Sequence, residues 1–146
     1  MIRPAVEGDL SELMAMILEL AEFENLSDQV ECTEEDLQRV LFGPDAFVKD
    51  VVVEADDGSI AGHALYYRSF STFLGQPGIW LEDIYVRPDH RRQGHAGELM
   101  SFLREQSSGR LEWEVLDWNL GAVNFYQGLG ARPMGGWTRY RWLLQP

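Results

Sequence analysis

The chain has 146 residues, the size of one folded domain, and contains 45% apolar and 25% charged residues. Its formal net charge of −12 excludes general affinity for nucleic acid or anionic membranes. The same charge suits a cationic partner, although acidity is also common in proteins that bind no cation. A single cysteine, Cys32, rules out an internal disulfide and a cysteine-based metal site, and fits a reducing compartment. No apolar run reaches the ~18 residues of a membrane span, and Met1-Ile2-Arg3-Pro4 does not open like a secretion signal. A single domain over 1–146 in the cytoplasm is the expectation.

In chain order, Ile2 to Val6 suits a short strand. From Asp9 onward, Leu10, Leu13, Met14, Ile17, Leu18 and Ala21 recur at the spacing of one helix face. Asp9 and Glu12 read as a capping-box variant. A second helix is predicted from Thr33, with Asp36 as its reciprocal cap. Phe47 to Ala55 holds the run Val51-Val52-Val53 and reads as a buried strand. Asp56-Asp57-Gly58-Ser59 then turns the chain into a strand from Ile60 to Phe70. After Gly75-Gln76-Pro77-Gly78, a third strand of this group is expected from Ile79 to Val86. A helix follows over Gly94 to Gln106, then a strand from Leu111 to Leu116. Asn119 is a good N-cap for a helix stopped by Gly130, and Trp137 to Leu144 reads as a last strand. Three consecutive strands followed by alternating elements predict a mixed sheet, antiparallel first and parallel later, covered by helices.

The turn between the Ile79–Val86 strand and the next helix is the most informative segment. It reads Arg87-Pro88-Asp89-His90-Arg91-Arg92-Gln93-Gly94-His95-Ala96-Gly97. Small residues let a ligand approach the backbone, and a helix N-terminus offers unpaired N–H groups and partial positive charge. Arg87, Arg91 and Arg92 concentrate cations in a strongly acidic chain. The segment therefore suits an anion, although a solvated Gly-rich loop accounts for the same residues. It lacks the Gly-Lys-Ser/Thr ending of a P-loop and the first Gly of G-x-G-x-x-G.

Arg91-x-x-Gly94-x-Ala96, following Asp83-Ile84-Tyr85-Val86, resembles the acetyl-CoA motif of the GNAT acetyltransferases. The element order resembles that family over essentially the whole chain. Further motifs resemble its diamine acetyltransferase branch, which includes the spermidine/spermine and thialysine enzymes. They are Leu20-Ala21-Glu22-Phe23-Glu24, Asp28-Gln29-Val30, Leu81-Glu82-Asp83-Ile84-Tyr85-Val86, Asp117-Trp118-Asn119 and Asn124-Phe125-Tyr126. The resemblance implies an α+β fold with six to seven strands and about four helices, acetyl-CoA as cosubstrate, and a homodimer. It places the diphosphate on the main chain of Arg91, Arg92, Gln93, Gly94, His95, Ala96 and Gly97. It places the pantetheine arm along Ile84, Tyr85 and Val86, with Asn119 also near the coenzyme.

An ammonium with a pKa near 10.4 must lose a proton before it attacks a thioester. Glu82 and Asp83 are the nearest strand carboxylates. On a regular strand they point to opposite faces, so at most one meets the thioester unless a bulge intervenes. The resemblance favours Glu82 as base, through a water; Asp83 is the candidate to hold a substrate cation, and two solvated edge carboxylates are the competing reading. It makes Tyr126 the acid for the leaving thiolate and puts Phe23, Glu24 and Trp137 in the substrate channel. Phe23 and Trp137 suit a buried core equally well. Between Glu22 and Gln38 lie seven acidic residues and no basic one, which is either a solvated surface or an acidic mouth for an amine.

Two departures bear on the acceptor. Phe70-Ser71-Thr72-Phe73 lacks the acidic residue of the polyamine enzymes, and Met134-Gly135-Gly136 is short and uncharged. Both remove charge that a long polyamine would use, so a thialysine- or lysine-like amino acid or a short diamine is expected. Acetylation of proteins and a non-catalytic acyl-CoA-binding module are the competing functions. His63, His90 and His95 lack metal-ligand spacing, and no metal is expected.

Overall fold

A computed structural model describes residues 1–144. They form two compact units, the first spanning Met1–Glu114 and the second starting at Val115. In the first unit the elements are β1 (Ile2–Pro4), α1 (Leu10–Phe23), α2 (Glu34–Phe42), β2 (Val48–Glu54), β3 (Ile60–Ser71), β4 (Gln76–Val86), α3 (His95–Gln106) and β5 (Leu111–Glu112). The second unit contains α4 (Leu120–Gly128).

The sheet runs β1-β2-β3-β4-β5. Its first three pairings are antiparallel and β4–β5 is parallel, as the strand grouping predicts. Both faces of the centre are buried. Val48, Val52, Leu65 and Tyr85 lie on one face and pack with Leu13 and Met16 of α1 and Leu37 of α2. That covering follows from the helix-period spacing of α1, whose Leu13 and Met16 are fully enclosed. Val51, Val53, Ala64 and Leu81 fill the opposite face, and α3, with Leu99 and Leu103 fully buried, packs against β2, β3 and β4. Gly62 lets β3 and β4 approach, since a Cβ there would sit 2.5 Å from the Tyr85 carbonyl.

Local signals set several boundaries as expected. Thr33 Oγ1 accepts the Asp36 N–H at 3.2 Å and Asp36 accepts the Thr33 N–H at 3.0 Å, closing the capping box of α2. Asn119 Oδ1 accepts from Ala122 N–H at 3.3 Å, and Gly130 adopts φ +93° just beyond α4. Asp9 behaves differently. It accepts the Val6 N–H at 2.8 Å and takes Arg3 bidentately at 2.7 and 3.0 Å, so it ties β1 to α1 rather than capping the helix. The Arg3 hydrogen bonds hold its carboxyl below the usual range.

Three strand expectations need correction. Among the described residues the sheet has five strands, not six or seven. β5 stops at Glu112 rather than Leu116, and Trp137 to Leu144 forms no ladder among the described residues. Aromatic and aliphatic composition gives a segment strand propensity, but a strand also needs a partner backbone, which composition does not supply.

Candidate active site

The site starts from an irregularity in β4. Leu65 lies opposite Asp83 and Tyr66 opposite Leu81, so Glu82 is an extra residue with no partner on β3. Such a bulge breaks the alternation of side chains and re-aims the strand locally. Glu82 emerges exposed, and the Trp80 indole N–H donates to its Oε1 at 3.0 Å. Asp83 turns onto the α1-covered face and is half-buried. Burial pushes its carboxyl above the usual range, while His63 opposes that rise and the Glu82 and Asp50 charges add to it. Glu24, at the end of α1, is also raised, first by burial and then by the Asp83 charge. Three carboxylates, Glu82, Asp83 and Glu24, therefore gather at one place in the first unit. Two of them favour a positive neighbour strongly, because they are partly desolvated.

On its outer edge β4 pairs with β5 only at Ile79 and Trp80. Beyond the bulge, Ile84 to Val86 has no ladder on that side among the described residues. Backbone groups on that edge suit an extended ligand lying alongside, as in strand addition. Downstream, Gly94 takes φ +84° immediately before α3, and Arg92 takes φ +62°. No side chain caps α3, and its first turn closes with Glu98 N–H to Gly94 O at 3.0 Å. The amides ahead of that bond are the unpaired donors of a helix start, a cradle of the kind that binds phosphate. A non-glycine residue in the left-handed region, such as Arg92, is strained and is common at ligand-holding turns.

The cations of the turn divide. Arg87 pairs with Glu12 at 2.6 Å and Glu19 at 3.2 Å and donates to Ile60 O at 3.2 Å. It fastens α1 to the sheet and is not an anion ligand, contrary to the expectation from its clustering. Arg91 folds back, with Nε donating to Val86 O at 2.9 Å and its guanidinium 5.7 Å from the Tyr85 ring centre. Arg92 is exposed. The His95 ring is mostly enclosed, 3.3 Å from Glu98.

A family model described as the acetyltransferase (GNAT) family matches residues 11–131. That match covers the bulged strand, the turn and α4. The chain belongs to the GNAT acetyltransferase family. GNAT proteins are acetyl-CoA-dependent N-acetyltransferases, and this chain is such an enzyme. Its sequence is 39% identical to the thialysine N-epsilon-acetyltransferase of Bos taurus, covering 97% of this chain and 91% of the relative. It is 37% identical to the L-ornithine N5-acetyltransferase of Arabidopsis thaliana, over 73% of this chain and 45% of the relative. Among solved structures, an aminoglycoside acetyltransferase from a soil metagenomic sample superposes with a TM-score of 0.76 at 17% identity, covering 99% of this chain and 96% of that one. That structure shares the GNAT fold.

The residues of the first unit fit the GNAT acyl donor. The open edge of β4 suits its extended arm, and the uncapped start of α3 suits its diphosphate. Phe23 is 46% and Trp137 is 78% exposed, which removes a core role for either. Asn119, Tyr126 and Trp137 belong to the second unit, where Tyr126 is half-buried on α4 with its ring 5.5 Å from that of Phe125. Trp80 escaped the sequence reading. Its two-residue spacing from Glu82 on a strand was the available signal. No group of three or more His, Cys, Asp or Glu side chains gathers as metal ligands among the described residues.

The Gly94 bend allows a direct check. A Cβ at Gly94 meets nothing within 4 Å, so substitution costs backbone strain rather than a clash. Gly94→Val is expected to cost roughly 1–2 kcal/mol in stability. CoA affinity should fall about tenfold or more, because a branched side chain intrudes where the backbone must approach the ligand. Thermal melting and calorimetric CoA titration together check this.

Proposed function

We propose that this enzyme transfers acetyl from acetyl-CoA to the primary amine of a small molecule by direct attack in a ternary complex. The acceptor is a thialysine- or lysine-like amino acid or a short diamine. The observation that carries this reading is the partly buried Asp83–Glu24 carboxylate pair beside Glu82. An ammonium seated there neutralises charges that are otherwise poorly solvated. Relatives named for acetylating thialysine and ornithine support the size of the acceptor. Both are amino acids that carry a side-chain amine.

In this scheme Asp83 and Glu24 hold the cationic acceptor, and Phe23 and Trp137 line its approach. Glu82, through a water, takes the proton that frees the nitrogen lone pair. The nitrogen then bonds to the acetyl carbon as the carbon–sulfur bond breaks, the Tyr126 hydroxyl supplies a proton to the sulfur, and the second nitrogen proton leaves through solvent, from which the phenolate is reprotonated. Main chain from Arg91 to Gly97 and from Ile84 to Val86 holds the donor, with Asn119 beside it.

The test is a panel of thialysine, lysine, ornithine, putrescine, spermidine and a Lys-containing peptide, each with acetyl-CoA, followed by free-thiol release. The expected result is a kcat/KM at least about tenfold higher for the short amines than for spermidine or the peptide. A preference for the peptide would replace this reading with protein acetylation. No thiol release with any of these amines would overturn the small-amine acceptor.

A further inference from the structure

A buried carboxylate–imidazole pair lies on the same sheet face as Asp83. Asp50 on β2 and His63 on β3 share a 2.8 Å contact between Oδ2 and Nδ1, and both side chains are completely enclosed. Asp50 Oδ1 and His63 Nε2 have no hydrogen-bond partner. A fully buried polar pair with two unsatisfied atoms is costly in a core that could be apolar. Such a pair invites a functional explanation.

The sheet register supplies one. Leu65 faces Asp50 on one side and Asp83 on the other. His63 lies two residues before Leu65 on the same face of β3, diagonal to both carboxylates. Nδ1 is engaged by Asp50 on the β2 side, and Nε2 lies on the opposite edge of the ring. The row therefore reads carboxylate, imidazole, carboxylate. Its far member, Asp83, is the carboxylate assigned above to the substrate cation.

We propose that His63, held by Asp50, is a positioning residue for the amine site: its imidazolium keeps Asp83 ionised and ready for a cationic acceptor. This rests on the role given to Asp83 under the proposed function. The surrounding charges agree with it. Burial disfavours a charged His63, but the Asp50 charge and hydrogen bond outweigh it, Asp83 adds to them, and the pKa is raised against opposition from Arg87. Asp50 is raised by burial, and by Asp9, against the pull of His63. Two groups this close titrate as a coupled unit. With a carboxylate on each diagonal, the ring is the better place for a proton. From α1 and its end, Glu19 bonds the neighbouring Tyr85 hydroxyl at 3.2 Å, and Glu24 feels the Asp83 charge. Glu82, beside Asp83 on β4, pushes the same carboxyl up. His63 is thus the positive member of an otherwise acidic group.

The test reads the carboxylate itself, without a substrate. In the full-length protein, the side-chain 13C shift of Asp83 is followed against pH in the parent and in His63→Gln. The midpoint should move to higher pH in the variant, and the 15N shifts of His63 in the parent should report an imidazolium at pH 7. A neutral ring at pH 7, or an unmoved Asp83 midpoint, overturns the proposal. If His63→Gln fails to fold, Asp50→Asn/His63→Phe replaces the pair with a neutral amide and an apolar ring, and the same titration applies. As a second readout, kcat/KM for thialysine should fall several-fold at pH 6, up to about tenfold, and much less at pH 8, with KM for acetyl-CoA unchanged. An NMR shift that appears as expected without this kinetic change would leave the His63–Asp83 coupling standing and remove Asp83 from acceptor binding.

Discussion

Tyr126→Phe is expected to lower kcat on the order of 100-fold or more, equivalent to about 2.7 kcal/mol of barrier, with CoA affinity changed by less than about twofold. The argument is chemical. A thiolate leaving a thioester at neutral pH is helped by a donor that still carries its proton there, and a phenol with an ordinary pKa near 10 does. Phe keeps the ring and loses only the oxygen. The half-buried packing of α4 and the ring contact with Phe125 at 5.5 Å should survive the exchange. Thermal melting run in parallel separates any loss of stability from the loss of chemistry, and pre-steady-state thiol release should show the loss in the chemical step. Unchanged turnover together with unchanged binding would remove Tyr126 as the acid and leave it a packing residue of α4.

The parts of this molecule that were legible in its sequence are the parts governed by local chemistry. Thr33 and Asp36 announce the start of α2 because their side chains and backbones satisfy one another within four residues. Asn119 and Gly130 bracket α4 for the same kind of reason. The Gly94 bend shows because only glycine takes that backbone angle readily. What escaped depends on partners distant in the chain. The bulge at Glu82 exists only in the register between β3 and β4, yet it frees Glu82 and Asp83 from strict alternation. Arg87 looked like a phosphate cation because it lies near Arg91 and Arg92, but two glutamates of α1, far upstream, claim it. Asp50 and His63 are thirteen residues apart and unremarkable as letters, and only the pairing of β2 with β3 sets one against the other. The aromatic-rich stretch from Trp137 shows the opposite error, with strand-like composition and no ladder among the described residues.

Glu82→Gln separates basicity from geometry at the bulge. The amide keeps a carbonyl oxygen that can accept the Trp80 N–H, now 3.0 Å from Glu82 Oε1, so the side chain should hold its place. It loses the ability to take a proton. If Glu82 deprotonates the acceptor through a water, kcat should fall on the order of 100-fold or more. The kcat–pH profile should change shape once the base is removed. The residual rate should then climb with pH as free amine becomes available, because the acceptor ammonium near pKa 10.4 must shed its proton to bulk solvent instead. A different outcome assigns a different role. If KM for the amine rises and kcat with its pH profile stays unchanged, Glu82 holds the acceptor's charge alongside Asp83 and Glu24, and the proton leaves by another route. The exposed position of Glu82, against the half-buried Asp83 next to it, favours the first outcome: a base must exchange its proton with solvent after each turnover, whereas a carboxylate that holds a cation gains from being shielded.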